Sequence, residues 1–422
     1  MSNYVEARRR PFGSDARDER ARLIVAGSPS ERLERAAYYA LLAFVALLPF
    51  SIAASQVLLT CSGVLWFVLI LREHEGFDAP GMFWPLAAYA GATLIASLFS
   101  VDPKTSFIDC KQLLLFSIIP IAYRLLPGRR ALTVIDVIIT AGAISAVIGV
   151  VQFGILEFDS LGQRPRGLLG MYMTYSGQLM LVACVATARV LFRKDDRLWT
   201  ALVMPALVAA LAATLSRNAW VGACAGIGLL FILRDFRLFA LLPVALAAFI
   251  AFAPTQMTDR LYSAFRVNPL SHDTAATEAS LLSNRDRLAM MRTGLRIIKD
   301  DPLTGVGPDM VVTVYASYRD PNAVQQLNSH LHNVPLQIAA ERGLPALAIW
   351  LCFILMLVRD SVRHRTSREP SLNYGALAVT VAMVAAGMFE YNFGDSEFLM
   401  LFLVLVTLPY AAARCTPASP PA

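Results

Sequence analysis

Apolar stretches of about 17–24 residues recur along the chain, parted by short polar connections. Each is long enough to cross a bilayer core of roughly 30 Å. Lipid offers backbone N–H and C=O groups no partners, so such stretches must close their hydrogen bonds internally as helices. The pattern predicts twelve spans, near 36–54, 56–71, 82–99, 107–126, 131–154, 172–192, 198–215, 218–234, 237–254, 343–358, 374–391 and 396–413. The expected fold is an all-α polytopic membrane protein with about twelve transmembrane helices and one long helical loop. The expected segments are an N-terminal stretch 1–35, spans one to nine over 36–254, a polar loop 255–342, spans ten to twelve over 343–413, and a tail 414–422.

Composition agrees. Hydrophobic residues make up 56% of the chain and charged residues 16%, whereas soluble domains run near a quarter charged. Residues 1–35 are Arg-rich but also acidic and lack an apolar core with a cleavage site, so the first span is expected to serve as an uncleaved insertion signal. Cys61, Cys110, Cys184, Cys224 and Cys352 lie in apolar segments and Cys415 in the tail. None stands at a metal-ligand spacing, which argues against a disulfide or zinc framework. The net charge of +6 suits a surface facing anionic lipid and gives no warrant for nucleic acid.

The connections alternate in charge. One set carries the N-terminal arginines, Arg72, Arg129, Arg130, Arg193, Arg197, Arg234, Arg237, Arg359, Arg363 and Arg414. The short loops of the other set hold only Lys104, Arg164, Arg166 and Arg217. By the positive-inside rule both termini are cytoplasmic and the 255–342 loop faces outward. A lone cation at a helix end is ordinarily an interfacial anchor, which suffices for Lys104. Arg217 differs, because the link between its spans is only a few residues (LSRN) and holds the guanidinium on a rigid hairpin.

The polar loop contains His272, His330 and His332, three of the five histidines, with nine Lys or Arg residues. Residues 285–300 read as an amphipathic helix. Arg285, Arg292, Arg296 and Lys299 share one arc, with Leu288, Met290, Met291, Leu295, Ile297 and Ile298 opposite. The basic stripe reads as a solvated face. Arg287 falls inside the apolar arc, where a guanidinium needs an internal carboxylate or an anionic ligand. Asp300-Asp301-Pro302 ends the helix, and Gly305-Val306-Gly307-Pro308 reads as a tight turn.

Next comes Asn328-Ser329-His330-Leu331-His332-Asn333. Asn333 is a plausible N-cap with Pro335 in the first turn, and Gly343 is expected to end that short helix. His332 then lies beside a helix N-terminus, where free N–H groups favour anions. Two histidines could be metal ligands, yet zinc needs a third, and no HExxH or paired-carboxylate pattern supplies it. Histidine titrates near neutral pH, which suits a general base. The plain alternative is a pair of histidines that only cap local structure.

Three motifs in order, LSRNAWVG, RDRLAMMRTGLRIIKDDPLTGVGP and HLHNVPLQIAAERGLPAL, resemble the signature of the O-antigen ligase and O-antigen polymerase superfamily. The likeness covers roughly residues 205–360. One departure is Met291, where the family often has Trp. The resemblance implies a fold like that of the C-type glycosyltransferases, in the bacterial inner membrane with its site toward the periplasm, without metal or other cofactor. It implies a donor glycan on undecaprenyl diphosphate and, in the ligase branch, a lipid A–core acceptor, within membrane lipid. Carried over by motif, Arg217 and Arg287 hold the diphosphate and His332 deprotonates the acceptor, with His330 its alternative. Arg164 and Arg166 are weaker candidates for the same anion. Fixed guanidiniums suit this, since they bind phosphate in bidentate fashion and can replace a metal as charge clamp.

The same motifs leave room for a polymerase or a protein O-oligosaccharyltransferase. A transporter is a reading from another class, built on the intramembrane charges Asp109, Lys111 and Asp136, although no internal repeat is visible. Arg217, Arg287 and His332 meeting in one outward cavity favours an enzyme; a midplane site around the three intramembrane charges favours transport.

Overall fold

Where a Pro, Gly or Asp interrupts an apolar run, the chain turns. The computed structural model describes residues 28–160, 162–193, 197–237, 274–363 and 369–414. Among them every regular element is helical. The helices are α1 (Pro29–Leu47), α2 (Ile52–Glu73), α3 (Phe83–Leu98), α4 (Pro103–Asp109), α5 (Ile118–Leu125), α6 (Arg129–Gly154) and α7 (Tyr172–Phe192). They continue as α8 (Arg197–Ala213), α9 (Arg217–Arg234), α10 (Thr274–Asp300), α11 (Val311–Tyr318), α12 (Val334–Arg363), α13 (Pro370–Gly387) and α14 (Ser396–Ala413).

Eleven of the expected spans fall on described helices, and 237–254 lies outside the described residues, as does His272. Seven described segments are long and apolar enough to cross a membrane by length and composition. The chain is a multi-pass membrane protein. The helices α3 and α8 are apolar but shorter, with 16 and 17 residues, or roughly 24–26 Å at 1.5 Å per residue. The span expected at 107–126 is not one helix: α4 and α5 are joined by a 3₁₀ segment, Cys110–Ser117.

The centre of the bundle is α7, whose residues from Thr174 to Arg189 are all buried. It packs against α8, α9, α13 and α14. Helices in lipid gain little from hydrophobic burial against each other, so close backbone approach matters more. Gly222 and Gly226, one turn apart on α9, provide it. A Cβ on either would stand 2.7 Å from a carbonyl oxygen of α13, Ala382 or Ala378.

Charge divides the two ends of the bundle. At one end Arg124 reaches Glu34, Glu73 and Glu75, Arg130 reaches Glu34, and Arg414 reaches Asp78. The other end collects the α3–α4 connection, the start of α9, the α10–α12 region and the α13–α14 connection. There Val101 N donates to Val306 O at 3.0 Å, Ser106 Oγ to Pro308 O at 2.7 Å, and Gln112 Nε2 to Gly394 O at 2.6 Å.

Helix α10 begins earlier than expected and buries a different face. Asp286, Ala289, Met290, Thr293 and Ile297 face inward, while Leu288, Met291 and Leu295 are exposed. The sequence-based apolar arc was therefore half right. Among the described residues the helix packs against α11 and α12, which cover a single narrow stripe. Residues 305–307 are also more than a turn. Val306 N donates to Ala340 O and Gly307 N to Glu341 O, so the segment lies along α12 where that helix breaks. The break is at Gly343, with φ 81° and ψ 168°. A side chain there would meet Leu303 O at 2.0 Å, so only glycine fits.

Candidate active site

The link between α8 and α9 is Thr214-Leu215-Ser216. Leu215 adopts φ 53°, a left-handed conformation that costs a branched residue roughly 1–2 kcal/mol. Trp220 Nε1 donates to Leu211 O at 3.0 Å, satisfying a carbonyl at the end of α8, and Ser176 Oγ bonds Ser216 Oγ at 3.1 Å. These contacts fix the hairpin and put Arg217 in the first turn of α9, where free amides add positive potential.

On α10, Asp286 is buried and accepts hydrogen bonds from Val324 N (2.9 Å) and Gln325 N (3.1 Å). The next residue, Arg287, is thereby held at the edge of the buried face. Arg217, Arg287 and Arg164 line one cleft of about 480 Å³, together with His332 and Glu390. Arg164 rests over the Tyr172 ring, 4.3 Å from its centroid. Arg287 and Arg164 are close enough for their charges to act on Arg217. Neither Arg217 nor Arg287 has an ion-pair partner among the described residues; the two carboxylates of the cleft, Asp286 and Glu390, are occupied elsewhere. Arg166 stays out of the cleft, exposed, with its guanidinium 5.8 Å from the Phe158 ring centroid.

His332 is itself left-handed, with φ 49°. Asn333 caps α12 as expected, accepting from Leu336 N at 2.9 Å, and its Nδ2 donates to Met388 O at 3.1 Å. Gln337 Oε1 accepts from Leu331 N at 2.6 Å, pinning the residue between the two histidines. The sequence reading missed the residue that joins them. Glu390, in the α13–α14 connection, bonds His330 Nε2 at 3.1 Å and His332 Nδ1 at 3.0 Å. Burial alone would push the Glu390 carboxyl up, but hydrogen bonds from both histidines outweigh it and hold it at about 2. An ionised carboxylate only accepts, so both of those ring nitrogens carry protons. His330 uses its other nitrogen on Ser329 Oγ, at 2.8 Å. In a neutral His332 this leaves Nε2 as the unprotonated nitrogen, and the residue lines the cleft. One signal for Glu390 was available: an acidic residue in FEYNFGDSE, at the same end of the bundle as the H-x-H pair.

Behind Glu390 lies a second buried network. Arg342, almost wholly buried, donates to Glu341 Oε2 at 2.7 Å and to Tyr391 Oη at 3.3 Å, and stands 3.5 Å from Asp109 Oδ2. Asp136 instead pairs with Arg189. Asp109 and Asp136, two of the three intramembrane charges considered for transport, therefore belong to separate ion pairs.

Residues 201–351 match the family model described as O-antigen ligase. The match spans Arg217, Asp286, Arg287, His330 and His332, and so four of the cleft's six charged or imidazole side chains.

Over this segment, 151 of the 422 residues, the chain is similar to the O-antigen ligase superfamily.

That superfamily comprises glycosyltransferase-type ligases and polymerases, which act in general on lipid-linked glycans and lipid acceptors. No curated protein matches the chain. Glu390 lies outside the segment of the O-antigen ligase match, as does Arg164.

Proposed function

We propose that the chain is an O-antigen ligase, moving a glycan from undecaprenyl diphosphate to an outer-core sugar hydroxyl of lipid A–core at the periplasmic face of the inner membrane. The observation that carries this is the meeting of unpaired Arg217 and Arg287 with His332 in one cleft. Two guanidiniums without carboxylates call for an anion, and a diphosphate offers one in a geometry that guanidinium forks match.

In the proposed reaction, His332 Nε2 takes the proton of the acceptor hydroxyl as its oxygen attacks the anomeric carbon. The bond from that carbon to the diphosphate oxygen breaks, and the departing charge falls on the carrier diphosphate. Arg217 and Arg287 hold this charge, with Arg164 beside them. Attack opposite the leaving group inverts the anomeric centre. Glu390 sets the His332 tautomer and stabilises the imidazolium, much as a buried carboxylate serves the histidine of a hydrolytic triad. His330 shares Glu390 and has its other nitrogen engaged, so His332 is the base. No step in this scheme calls for a metal.

The test supplies purified protein in detergent with undecaprenyl-diphosphate O-antigen and lipid A–core, in the presence of EDTA. Glycan on lipid A–core, lost in Arg217→Ala, Arg287→Ala and His332→Ala, is the expected result. Longer glycan on the undecaprenyl carrier with lipid A–core untouched makes the chain a polymerase and overturns the ligase reading.

A further inference from the structure

His330, His332 and Glu390 each offer a ligand atom, all within 4.8 Å of one another, and His330 Nε2 and His332 Nδ1 each stand 3.1 Å from Glu390 Oε1. The sequence supplied two of these donors, and the fold brings the third from 58 residues away. Two imidazoles and one carboxylate are a donor set that borderline transition metals take readily, with a fourth position left open. The outer contacts also suit ligation. Ser329 Oγ holds the far nitrogen of His330, and the Glu390 oxygen shared by the rings receives Tyr391 N at 3.2 Å. Metal-bound imidazole usually has its second nitrogen engaged in this way, which fixes the ring with its free nitrogen toward the ion.

We infer that His330, His332 and Glu390 form an inhibitory Zn²⁺ site, in which the ion replaces the two N–H···carboxylate hydrogen bonds. The inhibition follows from the tautomer. Zinc on Nδ1 of a neutral imidazole moves that ring's one proton to Nε2, with no net proton release. His332 then presents a donor to the cleft where a base must present a lone pair. At His330 the same exchange leaves Nδ1–H donating to Ser329 Oγ. Metal occupancy and proton abstraction by His332 therefore exclude each other. Binding stands on the geometry alone; the inhibition rests on the proposed reading of His332 as base.

The experiment strips the full-length protein with EDTA, removes the chelator, and titrates Zn²⁺ alone, with bound metal counted by plasma mass spectrometry. The expected result is a site of one Zn²⁺ per chain, weakened about 10–100-fold in His330→Gln and in Glu390→Gln. Co²⁺ in the unmutated protein is expected to give the visible absorption bands of a four-coordinate nitrogen–oxygen site, a readout that needs no variant. Transfer to lipid A–core should fall over the same Zn²⁺ range that fills the site and return with EDTA. Zinc uptake unchanged by both substitutions, or a six-coordinate cobalt spectrum, overturns the site. A filled site with transfer unchanged or increased overturns the inhibition. Absent transfer at every metal concentration, with the site intact, counts against the ligase reading and leaves the metal site standing.

Discussion

The two ends of the helical bundle use arginine in opposite ways. At one end, Arg124 sits among Glu34, Glu73 and Glu75, and Arg414 meets Asp78. Each guanidinium there ties helix ends together and its charge is spent. At the other end Arg217 and Arg287 share a cleft with Arg164, and the nearby carboxylates are committed to loop amides and histidines. Repulsion among like charges is unfavourable unless something negative joins them. The same residue type thus marks a strut at one end and a cleft that suits an anion at the other, and only the partners tell them apart.

The strongest way to break this contrast is at the base. His332→Ala should lower transfer by about 10²–10⁴-fold, the usual worth of a positioned general base. Steady-state transfer rates at saturating donor check this, and near-normal turnover would return His332 to a capping role. Arg217→Ala and Arg287→Ala come next, each expected to cost about 10²–10³-fold in turnover, in line with lost charge stabilisation at a leaving group. Lysine at either position should recover only part of the loss, because it lacks the bidentate fork; full recovery would mean that charge alone suffices. Glu390→Gln keeps the shape but can offer His332 the wrong partner, and a fall of at least about 10²-fold is expected if the tautomer matters.

The smallest effect belongs to the opposite end. Arg124→Ala should leave transfer within about twofold and reduce stability by no more than about 1 kcal/mol, since the cluster is partly exposed to solvent. Its pH dependence has a definite sign. The hydrogen bond from Arg124 outweighs burial and holds the Glu75 carboxyl below its ordinary 4.5. A depressed carboxylate stabilises the fold above its unfolded pKa and loses that contribution as pH falls through the folded one. The stability gap between wild type and Arg124→Ala should therefore be full at pH 7 and shrink below about 4.5. Thermal unfolding in detergent at pH 7 and pH 4 tests it; a gap that widens on acidification would contradict the assignment. Removing Arg342 is another matter, because its partners are buried. Arg342→Ala should cost about 3–5 kcal/mol by leaving carboxylates unpaired.

Much of the frame was legible because lipid leaves a chain few options. Apolar runs between Arg-rich connections marked the helices, and the short LSRN link marked the Arg217 hairpin. Asn333 and Gly343 read correctly as helix cap and helix break through local backbone chemistry. What sequence could not reach was contact between distant segments. Glu390 meets His332 only because α12 and α13 run side by side, and nothing periodic links the two positions. Arg342 and Asp109 meet for the same kind of reason. The exposed Leu288, Met291 and Leu295 show the converse limit, since apolarity gives an arc and not which part of it will be covered.

The break at Gly343 has a mechanical consequence. Before it, α12 is laced to residues 305–307 and to the histidine loop; after it, Leu344 N is held by Pro302 O at 2.8 Å and the helix runs on through apolar surroundings. A continuous rod would carry any tilt forced by a thicker or thinner bilayer straight into the cleft. A joint at this place is expected to take up that tilt outside the cleft, so that the cleft residues keep their spacing while the long arm of α12 follows the lipid.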